Sequence, residues 1–143
     1  TIQSLHAKLD TIAASSPLAS ITSMGSSYEG REQKVIEIGD PSKPTVFYIC
    51  GVHAREWLPP LACTHMAQEL VANGGHRLLE YVRFAIVPNV NPDGFVYSYA
   101  SDNMWRKSRK PTSNPSCVGT DLNRNFDDHH CQSNGASTNP CDQ

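Results

Sequence analysis

Two short apolar runs, Thr45-Val46-Phe47-Tyr48-Ile49-Cys50 and Arg83-Phe84-Ala85-Ile86-Val87, limit this chain's architecture more than any other feature. Each is too short for a helix and rich in aromatic or β-branched residues, so each reads as a strand buried in the middle of a sheet. Between them, Pro59 and Pro60 suit the first turn of a helix, whose apolar positions run through Leu61, Ala62, Met66 and Leu70. Asn73-Gly74-Gly75 ends it. Strand, helix and strand in that order predict an α/β fold with a mixed central sheet flanked by helices.

The rest of the chain supplies more of the same layers. Ile2, Leu5, Leu9 and Ile12 recur at helical spacing, predicting an amphipathic helix over residues 2–14 that stops at Ser15-Ser16-Pro17. Residues 20–25 and 33–38 read as two strands joined in a hairpin around Gly30-Arg31-Glu32, and Pro41 to Pro44 as a loop. Beyond the second apolar run, Pro88-Asn89-Val90-Asn91-Pro92-Asp93-Gly94 closes the strand. A short helical stretch after Gly94, a polar loop over residues 101–116, a brief strand near 118–122 and irregular chain to Gln143 complete the reading. There is no internal repeat and no linker-like boundary, so residues 1–143 belong to a single domain.

Composition narrows the partners. Charged residues make up 18% of the 143, below the usual quarter or so, and the net charge of −2 offers no basic footprint for nucleic acid or an anionic membrane. No apolar run approaches the 18 or so residues of a membrane span. The chain opens at Thr1 without a signal-peptide pattern, as expected of a processed protein or of part of a longer one. Cys50, Cys63, Cys117, Cys131 and Cys141 contain no Cys-x-x-Cys pair, which disfavours a structural zinc site and favours a disulfide framework. That points to an oxidising, extracellular setting for a secreted protein. Their odd number leaves one thiol over.

The chemically richest stretch is Gly51-Val52-His53-Ala54-Arg55-Glu56-Trp57, directly after the first apolar run. An imidazole and a carboxylate three residues apart can turn toward one ion, and a strand end gives them rigid support. In open α/β sheets, ligands bind outside the carboxyl ends of the strands, where this segment falls. A bare H-x-x-E is weak, expected by chance in about one in four chains of this composition. Its surroundings raise its weight.

His-Ala-Arg-Glu-Trp after an apolar strand and a glycine resembles the zinc carboxypeptidases of the pancreatic A/B type. Three further segments match that family in order. They are the Asn91-Pro92-Asp93-Gly94 stretch, Trp105-Arg106-Lys107, and Cys117-Val118-Gly119-Thr120-Asp121-Leu122-Asn123-Arg124-Asn125-Phe126. The resemblance covers nearly the whole chain and implies a carboxypeptidase-like α/β/α sandwich. It implies an exopeptidase that holds one Zn2+ and releases single C-terminal amino acids from peptides and proteins, working as a monomer when intact.

The same resemblance assigns roles. His53 and Glu56 become zinc ligands, and Asp121 the carboxylate that accepts a hydrogen bond from His53 and fixes its tautomer. Arg106 becomes the arginine that stabilises the oxyanion, a task suited to a permanent planar charge. Asn123 and Arg124 grip the substrate's terminal carboxylate, and Arg55 contacts the substrate further along. Lys107, Arg109 and Lys110 are expected to be solvated surface charges, Met66 and Leu70 core, and His65 and His76 surface or structural. The implied disulfides are Cys50–Cys63 and Cys117–Cys141, each stabilising the fold by roughly 3 kcal/mol. Cys131 is then left without a partner.

A catalytic zinc takes three protein ligands, and the resemblance places the third, with the general-base glutamate, beyond Gln143. The expectation is therefore the N-terminal part of a longer catalytic domain, here truncated, with His129-His130 a weak substitute for the third ligand. Two rivals stand beside this reading. One is a non-catalytic, disulfide-stapled extracellular binding module; the other is a related zinc deacylase, against which Asn123-Arg124 and the Arg-Glu-Trp after His53 count.

Overall fold

The computed structural model describes residues 1–127 and 135–142, so His129, His130 and Cys131 lie outside the described residues. Ile2, Leu5, Leu9 and Ile12 form the buried stripe of helix α1 (Ile2–Ala14), opened by Thr1, whose Oγ1 accepts from the Ser4 amide at 3.2 Å. Strands β1 (Ala19–Ser26) and β2 (Glu32–Ile38) pair antiparallel as the expected hairpin, with an irregularity between Ser23 and Ser26. The apolar runs form β3 (Thr45–Ile49) and β4 (Arg83–Val87), which pair parallel across helix α2 (Leu58–Val71). Because β2 and β4 are antiparallel, the sheet is mixed, in the order β1-β2-β4-β3.

Side-chain alternation divides this sheet into two faces. Ile36 and Ile38 of β2 and Phe84 and Ile86 of β4 face the helices and pack with Leu9, Ile12, Cys63, Ala67, Leu70 and Val71. Val35, Ala85 and Val87 point the other way into a smaller cluster with Val90. Each fully buried Ile or Leu contributes about 1.5–3 kcal/mol relative to exposure, so the helix-covered face dominates the core.

Several expectations need correction. Among the described residues the first apolar run is not a buried central strand. β3 pairs only with β4 among the described residues and leaves Phe47, Tyr48 and Ile49 at 52%, 43% and 39% exposure. Among the described strands, β4 is flanked on both sides, by β2 and β3. Apolarity marks a strand that some neighbour must cover, and does not say on which side of the sheet it stands.

Helix α2 buries Pro60, Cys63, Thr64, Ala67, Leu70 and Val71, while Leu61 is 61% exposed and Met66 only partly covered. The buried stripe thus keeps Leu70 as expected but is rotated away from Leu61 and Met66. Thr64 can take an interior place because its hydroxyl donates to the Pro60 carbonyl at 2.8 Å. Helix α3 (Pro92–Ala100) starts earlier than expected, with Pro92-Asp93-Gly94 as its first turn and Asn91 as its cap. The brief strand near 118–122 is absent. An isolated bridge between Pro111 and Val118 and a single 3-10 turn, Leu122–Arg124, stand there instead.

Candidate metal centre

Gly51 turns the chain out of β3 with φ +65°, a conformation in which a side chain is strained. A Cβ there would also stand 3.0 Å from Asn89, so glycine allows the loop to lie against the loop that follows β4. Two backbone bonds seal this contact, from Cys50 N to Val87 O at 2.9 Å and from Val90 N to Cys50 O at 3.0 Å. The Cys50–Cys63 disulfide then ties the strand end to α2, with Cα atoms 6.6 Å apart.

Within that loop His53 Nδ1 and Glu56 Oε1 stand 2.7 Å apart. On the other side of the imidazole, Nε2 is buried, faces Asp121 Oδ1 at 3.5 Å, and lacks a hydrogen-bond partner among the described residues. A neutral imidazole carries one N–H and can satisfy only one of two flanking carboxylates. A cation on Nδ1 shared with Glu56 resolves the conflict, because Nε2 then keeps its hydrogen and directs it at Asp121. The donor set of one imidazole nitrogen and one carboxylate oxygen, backed by a second carboxylate, suits zinc. No group of three His, Cys, Asp or Glu side chains converges on one metal position among the described residues.

Asp121 is the hub. Besides facing His53, it accepts from Arg106 Nε at 2.8 Å through Oδ2 and from the Asn123 amide at 2.9 Å through Oδ1. Burial works to raise its pKa, but these hydrogen bonds and the charges of Arg106 and His53 together hold it below the ordinary carboxylate range. The Asn123 bond also caps the turn Leu122–Arg124, so the carboxylate that faces His53 Nε2 also fixes the turn that carries Asn123 and Arg124. Arg124 and Asp121 line a cavity of about 370 Å3 together with Gly119, Thr120 and Asn125. Arg55 is half-buried in the loop that carries His53.

The structure thus gathers His53, Glu56, Arg106, Asp121, Asn123 and Arg124 from segments far apart in the sequence. It corrects the reading of two neighbouring cations as solvated charges. Lys107 is 5% exposed, with Nζ donating to the Asp142 carbonyl at 3.0 Å. The Arg109 guanidinium lies 3.7 Å from the centre of the Tyr97 ring and 4.6 Å from that of Trp105. His65 is exposed on α2, and His76 caps a 3-10 turn by accepting from the Leu78 amide. Cys117 and Cys141 form the second disulfide, closing the segment that carries Asp121.

Sequence reasoning missed the polar residues that hold the site from behind. Ser98 of α3 is buried, with Oγ 3.0 Å from the Ala54 carbonyl and 2.7 Å from the Phe95 carbonyl, and it accepts from Trp57 Nε1 at 2.9 Å. Asn91 donates to the carbonyls of Val52 and Lys107. The one available signal was a serine on an otherwise apolar helical stretch, which in sequence alone reads as a surface position.

Comparison with known proteins agrees with this geometry. The family model described as zinc carboxypeptidase matches residues 5–143. The chain is 38% identical to carboxypeptidase B of Bos taurus, covering 99% of this chain and 36% of that protein. It is 40% identical to carboxypeptidase B of Astacus astacus, covering 96% and 47%. Among solved structures it is similar to bovine thrombin-activatable fibrinolysis inhibitor, in complex with tick carboxypeptidase inhibitor. There the TM-score is 0.88 at 35% identity, over 99% of this chain and 47% of that one. Carboxypeptidase A of Helicoverpa armigera gives a TM-score of 0.85 at 31% identity, over 98% and 36%. The chain therefore spans between about a third and a half of the length of the proteins it matches.

Proposed function

Because the chain belongs to the zinc carboxypeptidase family, we propose that the protein is a zinc-dependent exopeptidase releasing single C-terminal residues from peptides and proteins. His53 and Glu56 are two of the ligands of its one metal ion. The observation that carries this is the imidazole flanked by two carboxylates, Glu56 at 2.7 Å from Nδ1 and Asp121 at 3.5 Å from Nε2. When bound, zinc supplies a coordinated water of pKa near about 7 and a Lewis acid for the carbonyl.

The other residues then take defined tasks. Asp121 accepts a hydrogen bond from the Nε2–H of His53 and keeps the ring in one tautomer. It also holds Arg106 by Nε, so that the planar guanidinium presents its terminal nitrogens at a fixed angle for a developing oxyanion. Arg124 and Asn123 receive the free carboxylate of the substrate, which restricts cleavage to chain ends. Arg55 contacts the substrate at a preceding residue. The two disulfides suit secretion, and the proposed enzyme works as a monomer.

Chelator competition and hydrolysis of peptides with free or amidated C-termini test this reading. His53→Ala and Glu56→Ala should each abolish tight zinc binding. Arg124→Ala should cost about 2–4 kcal/mol in kcat/KM on free C-termini and much less on amidated ones. Zinc binding indifferent to His53 and Glu56, or equal cleavage of amidated peptides by the wild type, would overturn it.

A further inference from the structure

We propose that Asn91 is a positioning residue that sets the zinc-ligand loop and the arginine segment at a fixed distance from each other, an inference that rests on the zinc reading above. Its side chain is 3% exposed and makes three bonds, each to a different part of the chain. Nδ2 donates to the Val52 carbonyl at 3.0 Å, one residue before His53, and to the Lys107 carbonyl at 3.2 Å, one residue after Arg106. Oδ1 accepts from the Gly94 amide at 3.1 Å and so caps α3. The two donations place the metal loop and the arginine segment on the two hydrogens of a single rigid amide plane.

Three neighbouring features serve the same contact. Ala54 N donates directly to Arg106 O at 3.0 Å, so the two segments also meet without an intermediary. Gly94 leaves room for this approach, because a Cβ there would fall 2.5 Å from Lys107 O and 2.7 Å from the Asn91 amide. Asn89 Oδ1 accepts from the Asn91 amide at 3.0 Å and holds the cap residue in place. The Asn-Pro-Asp-Gly segment therefore does more than begin a helix. Its first residue is where β4, the His53 loop and the Arg106 segment join.

Capping and positioning separate in Asn91→Asp. Aspartate keeps the acceptor for the Gly94 amide and caps a helix as well as asparagine does. It loses both donations and sets a carboxylate oxygen against two carbonyls. The purified variant should retain its helix content and exchange α3 amides at the wild-type rate. In the metal-free protein, residues 52–56 and 106–108 should exchange their amide hydrogens faster. Zinc affinity by chelator competition should fall by about tenfold or more, and kcat should fall with little change in KM. Leu9→Ala, a core change remote from the loop, controls for general destabilisation and should leave the exchange pattern of 52–56 and the zinc affinity near wild type.

Asn91→Asp binding zinc within twofold of wild type, with unchanged exchange at 52–56, would overturn the proposal. So would Leu9→Ala reproducing the whole pattern. Wild-type protein that binds zinc independently of His53 and Glu56 would instead remove the zinc reading itself, and the metal-free exchange result would still decide whether Asn91 holds the two segments together.

Discussion

The helix-covered face of the sheet and the loops beyond the ends of β3 and β4 are built on different principles. The first is an apolar layer in which Leu9, Ile12, Ile36, Ile38, Leu70 and Ile86 are buried against one another without directional bonds. The second is nearly devoid of large buried apolar side chains. Asn89, Asn91, Ser98, Lys107 and Asp121 are buried there, and three of them, Asn91, Ser98 and Lys107, bond to backbone across long sequence separations. Apolar packing responds to substitution by degrees, because neighbours can partly close a gap. A buried polar network responds sharply, because each lost partner leaves a donor or acceptor unsatisfied. The layer that sets stability is therefore not the one that sets the geometry of the site.

Substitutions at two positions test this division from its two sides. Ile86→Ala, in the fully buried centre of β4, should cost about 4 kcal/mol in chemical denaturation. At temperatures where the variant is folded, its zinc affinity should match wild type. A parallel loss of zinc affinity would show that the layers are one unit. Asp121→Ala should cost less, about 2–3 kcal/mol, since it removes two charge-assisted bonds whose donors can turn partly to solvent. Its zinc affinity should nevertheless fall by about tenfold or more. Asp121→Asn, which keeps an acceptor and loses the charge, should lie between.

Ser98→Ala sharpens the comparison where the layers meet, because α3 carries the serine and the loop carries its partners. Removing the hydroxyl strips Trp57 Nε1 of its acceptor and the Ala54 carbonyl of a donor. A loss of about 1 kcal/mol is expected, with a shift in Trp57 fluorescence emission toward that of a solvated indole. Unchanged emission would mean that the indole is held by packing alone.

The two layers also differ in how far sequence revealed them. Periodicity located α1, the β1–β2 hairpin, β3, β4 and α2, since burial of apolar side chains leaves a repeating trace in the chain. It did not reveal that β3 has β4 as its one neighbour among the described strands, because Phe47 and Ile49 are as apolar as the residues of β4. Position within a sheet depends on partners distant in sequence. In the polar layer, motif spacing picked out His53, Glu56, Asp121 and Arg106, but only as matches to a known family. The ties that assemble them, from Asn91 to Val52 and Lys107 and from Ser98 to Ala54, end on backbone carbonyls. A carbonyl belongs to every residue type, so a side chain that binds one leaves no partner to recognise. Lys107 and Arg109 were misplaced for a related reason. Their charge suggests solvent, whereas a carbonyl and two aromatic rings receive them.

The smallest effect concerns His6, a half-buried titratable group on the apolar side, in α1. Its pKa is lowered from the ordinary 6.5, first by burial and then by the charge of Lys34 on β2. Glu32 of β2 and Asp10 of α1 pull the other way without prevailing. Lys34 is fixed there by its ion pair with Asp10, with Nζ 2.6 Å from Oδ1. Since the folded value lies below the unfolded one, the unfolded chain binds more protons between the two values, and stability rises with pH across that window. Acidifying from pH 7 through 6.5 should therefore lower stability until the folded value is passed. His6→Gln should flatten that part of the stability profile while leaving zinc affinity and its pH dependence unchanged. If His6→Gln changed the pH dependence of zinc binding, protonation on the helix-covered face would reach the metal loop through α2 and the Cys50–Cys63 link, and the separation of the two layers would fail.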